Sequence, residues 1–156
     1  MKRSLTLNYE EGENWKDLNE DLHAMIEETI TFSKNAYAPY SNFKVSAGLT
    51  LENGIKNFGT NVENASYPAS ICAERTLISH TVANHPNDRI KTMVIYVDKA
   101  VGEPVPPCGI CRQTILEIEL KQKSPIEIIL ISKEGNYKVF EKSADLLPLY
   151  FDGSVL

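Results

Sequence analysis

Two short segments carry the residue types with the most chemical reach: Cys72-Ala73-Glu74 and Pro107-Cys108-Gly109-Ile110-Cys111. Both fall where a loop is expected to enter a helix. Backbone N–H groups and the positive end of the helix dipole favour thiolate over thiol at such positions. Thiolates are soft ligands that suit zinc, and three of them leave a fourth coordination position for water. Zinc lowers the pKa of a water it holds from about 16 to about 7, which makes hydroxide available at neutral pH. Glu74 lies two residues beyond Cys72, an offset that points side chains apart on a regular helix. Cys72 must therefore stand at the helix mouth if both are to face one site. Two other uses of the cysteines stay open on these residues alone. A C-x-x-C pair also serves redox chemistry, and His80 or His85 could supply a fourth ligand and close a structural zinc site.

The elements that would position these segments follow from hydrophobic spacing. Apolar residues at Trp15, Leu18, Leu22, Met25, Ile26, Ile30, Ala36 and Tyr37 recur at helical intervals, and Pro39 ends the run. Residues 43–51 alternate as a strand, Glu52-Asn53-Gly54 turns the chain with the favoured Asn-Gly dipeptide, and a second strand runs over 55–62. Residues 71–83 read as a helix that carries Glu74. The short apolar run at 93–97 predicts a strand covered on both faces. Residues 101–107, with Gly102, Pro104, Pro106 and Pro107, form a loop. A helix over 109–121, a strand over 126–131, a turn at Glu134-Gly135-Asn136 into 137–140 and a short helix over 144–147 complete the chain. Helices alternating with apolar strands predict an α/β class: a three-layer α/β/α domain with a sheet of about five strands. Residues 15–156 form that single domain, and the polar segment 1–14 is expected to be flexible.

Composition bounds the function. A chain of 156 residues that is 42% hydrophobic and 24% charged is an ordinary globular protein, which excludes collagen-like, disordered and disulfide-framework classes. The net charge of −5 argues against a polynucleotide or an anionic membrane as partner, because phosphate neutralisation calls for a basic excess. No stretch approaches the ~20 apolar residues of a membrane helix. The start, MKRSLTLNYEEGENW, lacks the apolar core of a signal peptide. Three cysteines cannot all pair, and the expectation is a soluble protein of the reducing cytoplasm.

The two cysteine segments match the three-cysteine form of the zinc deaminase signature, H-x-E followed by P-C-x-x-C. Further blocks join them in order: Ala38-Pro39-Tyr40-Ser41-Asn42-Phe43, Asn61-Val62-Glu63-Asn64-Ala65-Ser66-Tyr67-Pro68, Cys72-Ala73-Glu74-Arg75-Thr76, Pro107 through Gln113, and Leu146-Leu147-Pro148. On these blocks the chain resembles the cytidine deaminases, specifically their short, three-cysteine, homotetrameric class, from about residue 38 to residue 152. The resemblance implies a mixed sheet and one Zn²⁺ per subunit on Cys72, Cys108 and Cys111. It implies that Glu74 takes a proton from the attacking water, gives it to N3 of the cytosine ring, and later protonates the departing ammonia. The backbone amide of Ala73 would anchor the base, and Asn61 and Glu63 would hold the ribose 3′-hydroxyl. Their i, i+2 spacing supports this, since a continuing strand puts both on one face, and an amide with a carboxylate satisfies a hydroxyl. Phe43 would pack against the pyrimidine, Ala65 belongs to the same substrate-binding set, and Tyr67 and Phe151 would reach a neighbouring subunit's site. Arg75 would offset the net −1 of three thiolates on Zn²⁺. The implied activity is hydrolytic deamination of cytidine and 2′-deoxycytidine to the uridines, in pyrimidine salvage.

Three alternatives are weighed against this. A relative acting on another cytosine nucleoside, such as blasticidin S, is disfavoured because Asn61 and Glu63 suit an ordinary ribose. A polynucleotide deaminase is disfavoured because Glu63 would repel a 3′-phosphate. A zinc-stabilised interaction module would have no use for the free carboxylate of Glu74. Two features fall outside the resemblance: Ser46 stands where many relatives have glycine, and His23, His80 and His85 match no catalytic position.

Overall fold

The computed structural model describes residues 1–156, the side chain of Val155 excepted. Two asparagines divide the first apolar run. Asn14 Oδ1 accepts from the Lys16 N–H at 3.1 Å and caps a 3-10 turn at Trp15–Asp17. Asn19 Oδ1 accepts from the Asp21 N–H at 3.0 Å and starts α1, Glu20–Phe32. Leu18 between them is extended, so the long helix expected from the spacing is a 3-10 turn, a break and a shorter helix.

Six strands make one sheet: β1 (Glu10–Gly12), β2 (Val45–Leu51), β3 (Lys56–Thr60), β4 (Ile90–Val97), β5 (Glu127–Ile131) and β6 (Tyr137–Phe140), in the order β1-β6-β5-β4-β2-β3. The turn between β2 and β3 places Gly54 at φ +87°, the left-handed conformation that the Asn-Gly dipeptide foretells. Neighbours are antiparallel except β4 and β5, which are parallel. A parallel pair needs a crossover, and α3 (Gly109–Gln122) supplies it. α2 (Ala73–Asn84) lies between β3 and β4 in the chain.

The sheet has six strands, not about five. The additional one is β1, inside the segment expected to be loose. Glu10-Glu11-Gly12 shows no alternation that would announce a strand, and distant residues hold it in place. The Tyr137 hydroxyl donates to Glu10 Oε1 at 3.0 Å, Lys138 pairs with Glu11 at 3.7 Å, and Tyr9 stacks on Phe140 with ring centroids 5.3 Å apart.

Alternation along β2 divides the core. Ala47, Leu49 and Leu51 face α2 and α3, packing with Met93, Ile95, Leu77 and Ile115. On the other face Val94, Tyr96, Ile129 and Ile131 meet Trp15, Met25 and Ile26 beneath α1. The three-layer α/β/α arrangement follows from these two clusters. Ser46 lies on the α1 side, its hydroxyl donating to the Thr29 carbonyl at 2.6 Å, so this residue ties the sheet to α1 and not to the layer bearing the cysteines.

Glycine seats α2 on the sheet. A Cβ at Gly59 in β3 would come within 2.8 Å of the Leu77 nitrogen and 2.9 Å of the Ala73 oxygen. Backbone cannot yield as a flexible side chain can. Gly59→Ala should therefore cost about 2 kcal/mol, as overpacked cores do, and lower the urea midpoint without changing the slope. At the far end, buried Glu119 acts as a backbone acceptor. Its Oε2 takes the N–H groups of Ile126 (2.9 Å) and Ser143 (2.6 Å), and Oε1 takes that of Ala144 (3.2 Å). One carboxylate thus fixes the entry to β5 and the 3-10 turn at Ser143–Leu146.

Candidate functional site

Cys72 and Cys108 are the N-cap residues of α2 and α3, and neither side chain bonds its own helix. Their backbones are extended (φ −74°, ψ 155° and φ −66°, ψ 165°). This is the helix-mouth placement that lets Cys72 and Glu74 share a site. Cys111, one turn into α3, is fully buried. The three Sγ atoms lie within 4.8 Å of one another, none of them in a disulfide. Among the described residues they form the one cluster of three or more metal-ligating side chains. The histidines weighed as closing ligands are engaged elsewhere: His80 faces Asn84 at 3.3 Å, and His85 pairs with Asp88 at 3.4 Å.

The sulfurs of the trio differ sharply in how readily they ionise. A hydrogen bond from Cys111 pulls the Cys72 thiol down to about 5, with help from Cys108 and the Arg75 guanidinium and against the effect of burial. The same bond pushes Cys111 upward, and burial and the nearby Glu74 carboxylate add to it. Cys72 is thus the sulfur that ionises more readily, while Cys111 keeps its proton. Three soft donors at this separation fit zinc, which stabilises all of them as thiolates. Arg75 donates to the Ser70 carbonyl at 3.2 Å, while its buried Nε has no hydrogen-bond partner. Arg75→Ala is expected to fold but to lower turnover about tenfold or release zinc, the scale of one lost charge-assisted interaction. Metal analysis and steady-state rates on the same sample check this.

Glu74 is only 5% exposed. Burial raises its carboxyl, and the charge of Cys72 adds to the shift. It lines a cleft of about 350 Å³ together with Cys72, Ala73, Cys108, Phe43, Asn61 and Glu63, with walls of Val45, Ile95, Val97 and Pro106. β3 stops at Thr60, but Val62 bridges to Tyr37 and Ile71, so the chain stays extended and both Asn61 and Glu63 reach the cleft.

The loop 40–43 has a part in the site that sequence reasoning did not assign. Glu63 Oε2 accepts from the Tyr40 N–H at 2.9 Å and the Ser41 N–H at 3.2 Å, and its Oε1 accepts from the Ser41 hydroxyl. These bonds, the hydroxyl's above all, hold the Glu63 carboxyl below its usual range. Asn61 donates to the Phe43 carbonyl at 2.8 Å and accepts from the Val45 N–H at 2.9 Å. The available signal was Ser41 two residues before Phe43, a spacing at which a hydroxyl bonds local backbone. Arg112, likewise given no role from sequence, braces the cysteine loop by donating to the carbonyls of Pro107 (2.7 Å) and Leu146 (2.8 Å).

Ala65, Tyr67 and Phe151 do not line the cleft. All three are exposed. Tyr67 meets Tyr40 edge-on at 6.0 Å in an adjoining cleft that also includes Ser41, Glu63 and Ser70. The Phe151 carbonyl accepts from Gln113 at 3.0 Å.

Comparison with known proteins supplies the family. Residues 19–124, a span containing all three cysteines and Glu74, match the model of the cytidine and deoxycytidylate deaminase zinc-binding region. The chain belongs to this family. A cytidine deaminase of Halalkalibacterium halodurans is 40% identical over 98 residues, covering 63% of this chain and 72% of that protein. One from Mycoplasma genitalium is 34% identical over 120 residues, covering 77% and 88%. The crystal structure of the cytidine deaminase from Burkholderia pseudomallei superposes with a TM-score of 0.73 at 38% identity, covering 83% of this chain and 98% of that one. The matched zinc-binding region contains the three-cysteine cluster, which could hold one zinc ion. Among the described residues no helix is long and apolar enough to cross a membrane.

Proposed function

We propose that the chain hydrolyses the C4 amino group of cytidine and 2′-deoxycytidine, releasing ammonia and the corresponding uridines in pyrimidine salvage. The observation that carries this reading is a buried carboxyl, Glu74, sharing one cleft with Cys72 and Cys108, two of the three clustered sulfurs. Cys72, Cys108 and Cys111 would hold one zinc ion, whose chemistry there is to acidify a water at the remaining coordination position. Glu74 takes the proton from that water and delivers it to N3 of the ring. As the water oxygen bonds to C4, the same carboxyl is left ionised. It then takes the proton of the new C4 hydroxyl and passes it to the amino group, which leaves as ammonia when the C4–N bond breaks. One group working as base and then acid functions best with its pKa near the working pH, and burial moves Glu74 in that direction.

Ala73, the first residue of α2, has a backbone N–H that the helix itself leaves unpaired, and this donor orients the base. Asn61 and Glu63 take the ribose 3′-hydroxyl, the amide as donor and the carboxylate as acceptor. Phe43 presents its ring to the pyrimidine, with Ala65 as a further substrate contact. Tyr67 and Phe151, exposed aromatics away from their own cleft, serve the site of a neighbouring subunit in a homotetramer. Catalysis resides in residues 15–156. A cytoplasmic setting suits the three free thiols, which a reducing compartment preserves.

The test is to supply cytidine, 2′-deoxycytidine, cytosine and cytidine monophosphate in turn and follow the cytosine absorption band. Conversion of the two nucleosides is expected, and sedimentation of the active species should give four times the chain mass. An unchanged band with both nucleosides refutes the reading.

A further inference from the structure

Glu63 does not stand free at the rim of the cleft. Two backbone N–H groups, from Tyr40 and Ser41, pin its Oε2, and the Ser41 hydroxyl donates to its Oε1. Ser41 Oγ also accepts, from the Phe43 N–H at 3.0 Å. A hydroxyl has one proton, so an oxygen already occupied by the Phe43 N–H has its proton directed elsewhere, and Glu63 is the acceptor in reach. The Phe43 carbonyl in turn takes a hydrogen bond from Asn61 at 2.8 Å. An ionised carboxylate offers about four acceptor positions, and the loop fills three at Glu63. The position that remains is on Oε1, the oxygen whose direction Ser41 sets. Without that bond the carboxylate is free to swing about the pinned Oε2.

Resting on the assignment of Glu63 to the ribose 3′-hydroxyl, we infer that Ser41 is a positioning residue for the deamination: its hydroxyl aims Glu63 Oε1 at the sugar. Ser41 is exposed and contributes nothing to either core cluster, so its replacement leaves the fold intact.

The experiment compares wild type, Ser41→Ala and Ser41→Thr on cytidine and on 3′-deoxycytidine, with zinc content and thermal midpoint recorded for each. Ser41→Ala is expected to raise KM for cytidine about tenfold with kcat within about twofold, the scale of one hydrogen bond to a charged group. Ser41→Thr, which keeps the hydroxyl, restores KM. On 3′-deoxycytidine, which lacks the hydroxyl that Glu63 would hold, Ser41→Ala adds less than about twofold to KM. An unchanged KM for cytidine in Ser41→Ala overturns the inference, as does an equal rise on both substrates, which would place the effect at Phe43. Should wild type itself use the two nucleosides with equal KM, the assignment of Glu63 to the sugar fails and the inference falls with it. Discrimination by wild type beside a silent Ser41→Ala removes the inference alone.

Discussion

Glu74→Gln is expected to lower kcat for cytidine about ten-thousand-fold, the upper range for a single acid–base group, because one carboxyl handles every proton in the proposed sequence. Glutamine matches its shape and can hydrogen-bond, but it neither accepts nor releases a proton at the pH of the reaction. KM should change little, since the remaining cleft residues still bind the nucleoside. The fold should survive: the side chain is 5% exposed, and an isosteric neutral group avoids the desolvation that raises the native carboxyl. Zinc should stay at one per chain, because Glu74 is not among the clustered ligands. Absorbance at the cytosine band and metal analysis on the same preparation decide it. A variant within tenfold of the wild-type rate would remove Glu74 from the chemistry.

The second large effect is expected at the metal. Cys108→Ala should reduce activity to background and zinc content to near zero, as two thiolates form a weaker and more open site. Cys108 is the most informative of the three because it is exposed, whereas Cys111 is fully buried and its replacement would add a cavity to the loss of a ligand. Chelation of zinc from the wild type should give the same loss, restored by zinc. Zinc binding should also appear as stability, about 2.7 kcal/mol at a hundredfold excess over Kd when only the folded chain binds. The variant should show no zinc-dependent rise in thermal midpoint. A midpoint that rises equally in both proteins would place the ion elsewhere.

How far the sequence foretold the molecule varies with the range of the forces involved. Local signals, a proline-rich loop before Cys108 and the two-residue offset between Cys72 and Glu74, pointed to helix mouths but left the use of the cysteines open. It was the resemblance to the deaminase signature that joined the three of them in one site. β4 was legible because a strand buried on both faces is a continuous apolar run. The first helix was misjudged because apolar spacing from Trp15 onward outweighed two asparagines, whose side chains cap separate segments at Asn14 and Asn19. Glu119 could not have been foreseen, since a buried acid accepting three backbone N–H groups from residues 7 to 25 positions away has no mark in its own surroundings. The tie between Glu63 and the loop 40–43 spans 22 to 23 residues and is equally a product of the folded chain.

β1 is three residues long and pairs only with β6. Its outward rim is a terminus of the sheet's hydrogen-bond ladder, and such rims invite strands from other molecules to add on. Two glutamates in a strand too short to template another make this rim a poor seed. Loss of the first dozen residues would instead leave the flank of Tyr137–Phe140 uncovered, with Val139 and Phe140 beside unpaired backbone. Trimming the first dozen residues for crystallisation or expression should therefore replace a short, glutamate-bearing rim with a longer and stickier one.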